Sequence, residues 1–109
     1  MFEYNDCNVC INPKIVFHAM KKGVLAWDFV EIKICEYYGK WDFGYWHGGG
    51  ASPAMKTCAK FNSENECVDA AINKLENLLK KGNSMSKNNA YYLNELIAFK
   101  VSRMQMSLF

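Results

Sequence analysis

The sequence is short of arginine, of long apolar runs and of any decisive charge. Arg103 is the one arginine among 13 basic residues. Arginine's planar fork is the usual bidentate reader of phosphate and guanine, so sequence-specific DNA recognition is disfavoured. The 11 acidic residues leave a net charge of +2, too balanced to imply a polyanionic partner by itself. Apolar runs are brief and broken by charge, so no transmembrane span is expected. The opening "MFEYNDCNVC" has neither a basic head nor an apolar core. No secretory signal is therefore expected, and a cytoplasmic protein is the default. The cysteines (Cys7, Cys10, Cys35, Cys58 and Cys67) are odd in number. That makes a poor disulfide framework, and reduced thiols are expected.

What remains is a foldable domain. Half of the 109 residues are hydrophobic and 15% are aromatic, enough for one modest core and too much for a disordered chain. Asn12 has the chemistry of an N-cap, Pro13 suits a first helical position, and Lys21-Lys22 before Gly23 suits a helix end, so a helix is expected over about 13–22. From Asp28 the pattern changes to period two. Val30, Ile32 and Ile34 share one side and Glu31 and Lys33 the other, as in a half-buried strand. "YGK" supplies a short turn at Gly39. The alternation then resumes with Trp41, Phe43, Tyr45 and His47 on one face and Asp42, Gly44 and Trp46 on the other, giving an antiparallel hairpin. "GGGASPA" is expected to be a loop and "MKTCAKF" a third strand. Ser63 with Glu66 makes a capping box for a second helix. Its stripe is Val68, Ala71, Ile72, Leu75, Leu78 and Leu79, and Lys80, Lys81 and Gly82 close it. After the linker "GNSMSKNN" a last helix is expected over 87–106, carrying Leu93, Leu96, Ile97, Val101, Met104 and Leu108. The expected fold is α+β in one domain, 1–109. A three-stranded antiparallel sheet carries helices mainly on one face, in the order α-β-β-β-α-α, as a 12–82 unit plus the C-terminal helix.

The chemistry-bearing strings are incomplete. "HGGG" at His47–Gly50 has the form of an esterase oxyanion loop, but no G-x-S-x-G elbow accompanies it, and Ser52 has no placed triad partners. "GGGASP" lacks the lysine and following helix of a phosphate loop. Cys7 and Cys10 have metal-ligand spacing, yet a structural zinc needs two more ligands and no second C-x-x-C exists. The expectation is therefore no catalytic residue, no metal and no cofactor. The dense aromatics stand out instead. If Val30, Ile32 and Ile34 face the helix, Phe29 and Tyr37 face outward, and register decides whether Trp41, Phe43 and Tyr45 join them. An exposed aromatic sheet is a protein-binding patch or a base-stacking platform. The expected partner-binding residues are Phe29, Tyr37, Trp41, Phe43, Tyr45, Trp46, His47, Gly48, Gly49 and Gly50.

Two resemblances bear on function. The expected α-β-β-β-α order over about 12–82 is that of the double-stranded-RNA-binding domain. That family puts lysines at the start of its last helix, where this chain has "SENEC" with Glu64 and Glu66, which repel phosphate. The pattern W-x-F-G … GG-x-S-P … F-x-S … A, from Trp41 to Ala70, resembles small proteins encoded by phages and mobile elements, anti-CRISPR proteins among them. Short length, lysine and asparagine richness and scarce arginine also suit an AT-rich genome. That resemblance implies a non-enzymatic binding protein that occupies a surface on a larger host protein, such as a bacterial defence nuclease. The alternative is a nucleic-acid module that stacks bases on Trp and Tyr and holds phosphate with Lys21, Lys22, Lys80, Lys81 and Lys87. The C-terminal helix either folds back or dimerises. Dimerisation through Leu93, Ile97, Val101 and Met104 is favoured, because three strands offer little apolar area for two helices.

Overall fold

The computed structural model describes residues 1–48, 50–82 and 86–106. Four strands, β1 (Lys14–Ala19), β2 (Val30–Tyr37), β3 (Lys40–His47) and β4 (Gly50–Ser52), precede two helices, α1 (Glu64–Lys81) and α2 (Asn89–Met106). The strands form one antiparallel sheet in the order β1-β2-β3-β4. The protein is α+β, as expected, but the element order is β-β-β-β-α-α and the sheet has four strands.

Two corrections account for the difference. Residues 13–22 are not a helix. "KIVF" places two β-branched residues and a phenylalanine in succession, which favours the pleated backbone, and Phe17 is buried against the core. Asn12 caps no helix: its Oδ1 accepts from the Glu3 N–H at 2.6 Å and its Nδ2 donates to the Met1 carbonyl at 2.9 Å. With that helix gone, the double-stranded-RNA-binding order is gone too. The other correction concerns the loop after β3. Gly50–Ser52 pairs with β3 as the fourth strand, whereas "MKTCAKF" contributes one 3-10 turn, Lys56–Cys58, and single bridges at Met55 and Phe61.

The hairpin and α1 follow expectation. β2 pairs with β3 in unbroken register from Val30 opposite His47 to Tyr37 opposite Lys40. Its turn residues Tyr38 and Gly39 have φ of 49° and 78°, the two left-handed positions of a primed hairpin turn. Ser63 Oγ accepts from the Glu66 N–H at 3.1 Å, and Gly82 ends the helix in the left-handed conformation. The Glu66 carboxylate closes the cap one residue early, on the Asn62 N–H.

Both helices pack on one face of the sheet. Val30, Ile32 and Ile34 meet Val68, Ile72, Leu75 and Leu79 of α1, and Tyr92 and Leu96 of α2 complete the same core. The final helix therefore folds back onto its own domain. The area that three strands would lack is supplied by β1, where Phe17 stacks on Phe99 with centroids 5.1 Å apart. Leu93 packs against this core, while Ile97, Val101 and Met104 are exposed. Residues 83–85 of the expected linker, and Leu108 and Phe109 of the expected stripe and tail, lie outside the described residues.

The entry of α2 is fixed by a buried carboxylate. Asp28, 6% exposed, accepts from Ser86 Oγ at 2.6 Å through Oδ1 and from Asn88 Nδ2 at 2.7 Å through Oδ2. Its backbone carbonyl accepts from the fully buried Tyr92 hydroxyl at 2.5 Å. Removing the carboxylate leaves buried donors unpaired. Asp28→Ala is expected to cost about 2–4 kcal/mol, measured as a drop in unfolding free energy by urea titration, with loss of amide-exchange protection concentrated in α2.

Candidate functional site

Register decides which aromatics can act together. Directly paired residues share a face, and the pairs Ile34–Phe43, Ile32–Tyr45 and Val30–His47 put those β3 side chains on the helix side. Trp41 and Phe43 pack against the core, and His47 is buried. Phe29, Tyr37 and Trp46 belong to the opposite, outer face. The ten residues expected to bind a partner are thus divided between two sides of the sheet. Gly48 is buried with φ of 54°, Gly50 opens β4, and Gly49 lies outside the described residues.

Part of the outer face is covered by the chain itself. After β4, Pro53 and Ala54 cross directly over Gly44. A Cβ at Gly44 would sit 2.5 Å from the Ala54 nitrogen and from the Ser52 carbonyl oxygen, so the crossing exists only because position 44 has no side chain. Asp42 anchors it by accepting from the Met55 N–H at 2.8 Å, and burial raises the Asp42 carboxyl above its ordinary pKa. The N-terminal segment completes the cover. Val9 bridges to Met55, and Cys10 packs with Cys35 and Ala54, with Phe2 and Tyr4 against them. The Tyr4 hydroxyl donates to the Glu36 carbonyl at 2.6 Å, and its ring meets Tyr37 edge-on at 5.7 Å. Tyr37 therefore belongs to this covered end, with Lys56 above its ring. Gly44→Ala forces backbone against a methyl group and is expected to cost about 3 kcal/mol or more. Thermal unfolding checks this, and Ala51→Gly on the neighbouring strand serves as a control that should cost far less.

The other end of the outer face is open, and it carries a row of stacked rings. Trp46 lies on Phe29 at 5.3 Å and 10° between planes, and His18 lies on Phe29 at 5.2 Å. Trp46 Nε1 donates to the Trp27 carbonyl at 2.8 Å, which fixes the indole, and His18 Nδ1 meets Glu31 Oε1 at 3.2 Å. Ile15, opposite Lys33 on the same face, is 58% exposed, and Met20 and Leu25 beyond the strand are exposed as well. The site is thus a rigid aromatic step with an aliphatic border and one carboxylate. His18 and Ile15 were not in the expected set because their segment was assigned to a helix; the run of strand formers Ile15, Val16 and Phe17 was the signal for a strand, and the register shift between Ile15 and Phe17 hides their faces from simple alternation.

His47 is unsuited to contact a partner. It is 7% exposed, and its Nδ1 has no hydrogen-bond partner among the described residues. Burial lowers its pKa below the ordinary value of 6.5. A histidine whose folded pKa is depressed stabilises the fold fully above the unfolded pKa and progressively less as pH falls below it. The unfolding midpoint is therefore expected to drop between pH 7 and pH 5, with a visibly shallower drop in His47→Phe, read by thermal denaturation at each pH.

The thiols and charges complete the inventory. Cys7 is exposed while Cys10 is buried, and burial pushes the Cys35 thiol up to about 11 and the Cys67 thiol to about 12, so both are held as thiols. Among the described residues no group of three or more His, Cys, Asp or Glu is placed to hold a metal ion. Ser52 lies in β4 beside Tyr45, not beside His47. No helix of the described residues is long and apolar enough to cross a membrane. Between α1 and α2 a groove of about 600 Å³ is lined by Asn65, Asp69, Arg103 and Met104 among others, and Arg103 there is engaged with Asp69 at 3.1 Å. The lysines Lys21, Lys22, Lys80, Lys81 and Lys87 collect at the end where α1 stops and α2 begins. Lys21 Nζ donates to Asn88 at 3.3 Å and lies over Tyr91. The chain matches no known protein family, no curated protein and no solved structure.

Proposed function

We propose that this is a non-enzymatic binding protein, of phage or mobile-element origin, that occupies a surface on a larger host protein, with a bacterial defence nuclease as the target class. Origin and target class rest on the sequence resemblance alone. The binding mode rests on one observation: the open end of the outer sheet face presents His18, Phe29 and Trp46 as a rigid stack bordered by exposed Ile15. Such aromatics are pre-organised, so burying them against a partner costs little side-chain entropy, and they are the residue types that dominate interface energetics.

The test is capture of host protein on immobilised wild-type chain beside two variants, Trp46→Ser and Ile15→Lys. Ile15 is exposed, so Ile15→Lys leaves the fold intact, as circular dichroism will confirm. A partner identified by mass spectrometry should bind wild type and lose affinity about tenfold or more in each variant, the cost of losing a central contact. A partner held equally by all three proteins would reject this surface.

A second reading has its own observation. Five lysines share one end with the buried Asp28 carboxylate and with Glu76, which is bound to Lys80 and Lys100. Since the whole chain is only +2, the remaining surface is slightly acidic. That asymmetry favours a polyanion at this end. A salt-dependent mobility shift of labelled RNA or DNA, abolished by Lys21→Glu with Lys22→Glu, would support it; no shift at low salt would remove it.

A further inference from the structure

We infer that Cys10 and Cys35 are an oxidative modification site, where a disulfide latches the N-terminal segment onto the outer face of the sheet. The single buried anchor of that segment is a thiol. Among residues 1–12, all of them described, Cys10 alone is buried, at 6% exposed. The other attachments are the rings of Phe2 on Trp41 and Tyr4 on Tyr37, the Tyr4 hydroxyl on the Glu36 carbonyl, and backbone bonds to residues 54–56. The anchor lies on a second thiol. Cys10 and Cys35 form, with Ala54, a small buried cluster apart from the main core. The Cys35 sulfur has the Cys10 thiol and the Tyr4 hydroxyl as its side-chain hydrogen-bonding neighbours.

The fold explains this approach. Cys35 stands directly opposite Asp42 on the outer face. The Asp42 carboxylate holds the Met55 N–H at 2.8 Å, and Val9 bridges to Met55. Stacked layers ordinarily lie about 10 Å apart. Here the crossing at Pro53 and Ala54 rests directly on Gly44, and Cys10, whose N–H donates to the Ala54 carbonyl at 2.9 Å, comes down with it. The missing side chain at position 44 is what lets two thiols from different layers meet. The other cysteines are placed elsewhere. Cys7 and Cys58 are exposed, and Cys67 is buried in the core on the helix side.

The oxidant is a low-molecular-weight disulfide, RSSR. Chain ends open locally, so Cys10 moves out with its segment while Cys35, 0% exposed, stays in the sheet. The Cys10 sulfur gives up its proton and attacks one sulfur of RSSR. The S–S bond breaks, and the first RSH leaves with that proton. On closing, the Cys35 sulfur attacks the Cys10 sulfur of the mixed disulfide. The bond from Cys10 to SR breaks, the second RSH leaves with the Cys35 proton, and the Cys10–Cys35 bond remains. The two cysteines lose two electrons, and RSSR is reduced to two RSH. Burial pushes the Cys35 thiol up to about 11, so the closing step quickens as pH rises. The finished bond lies beneath the segment, shielded from external thiols. The open aromatic end of the face is left free in both states.

Incubation of the folded full chain with glutathione disulfide tests this. Peptide mapping without reduction is expected to show one internal cross-link, Cys10 to Cys35, formed faster at pH 9 than at pH 7. Cys7→Ser, which removes the exposed member of the C-x-x-C pair, should cross-link as wild type does. Cys35→Ala should stop at a mixed disulfide. The oxidised wild-type chain should keep its circular dichroism spectrum and unfold about 5 °C or more higher. Its Cys10 and Lys56 amides should exchange about tenfold more slowly. A Cys7–Cys10 or Cys35–Cys67 product in place of Cys10–Cys35, or cross-linking only after urea unfolds the chain, would overturn the site. A cross-linked chain whose Cys10 and Lys56 amides exchange as fast as in the reduced chain would overturn the latch.

Discussion

The buried Asp28 carboxylate ties the start of β2 to the start of α2, and the rest of the architecture depends on that tie. Without the bonds from Ser86 and Asn88, a chain leaving α1 at Gly82 could place its last helix in several ways. With them, and with the Tyr92 hydroxyl on the Asp28 carbonyl, the helix is set down with Tyr92 and Leu96 over the sheet and Phe99 over Phe17. A carboxylate serves well because each of its oxygens accepts a short bond from a separate donor, so one residue fixes two points of the incoming chain. The same placement determines which side of α2 is left facing outward.

Much of the fold was legible wherever local signals and burial agreed. The hairpin from Val30 to His47 shows strict alternation, a glycine turn and a register that buries one face, and α1 has a cap at each end and a continuous stripe between them. The segment 12–23 misled because its punctuation suits a helix while its interior does not. Asn12, Pro13 and Gly23 are good helix boundaries, yet Ile15, Val16 and Phe17 are strand formers, and a neighbouring strand with an unpaired edge was available to take them. Here tertiary pairing overrode the boundary signals. β4 was illegible for a different reason: three small residues carry no periodicity, and only their position beside Tyr45–His47 makes them a strand.

The candidate site was half legible. Phe29 and Tyr37 were expected to face outward and do, while Trp46, whose face was left to the register, stacks on Phe29. Trp41 and Phe43 turned inward because the even register of the hairpin pairs them with the aliphatic face, which alternation within one strand cannot reveal. Gly44 was passed over beside the more conspicuous glycine triplet. Yet Gly44 has an evident steric requirement, since a backbone crossing leaves no room for a Cβ there, and an isolated glycine inside a strand is the usual sign of such an approach.

The two borders of the sheet limit how it meets other chains. β1 has an irregularity between Ile15 and Phe17 that breaks its hydrogen-bonding row, and Lys14 and His18 stand on it. β4 is three residues long and ends at Pro53, which has no N–H to offer. Neither border presents a long, flat ladder on which a foreign strand could extend the sheet. Strand addition is thereby disfavoured at both borders, and what the sheet offers to another chain is the side chains of its broad faces. A ladder of backbone groups would accept any extended peptide.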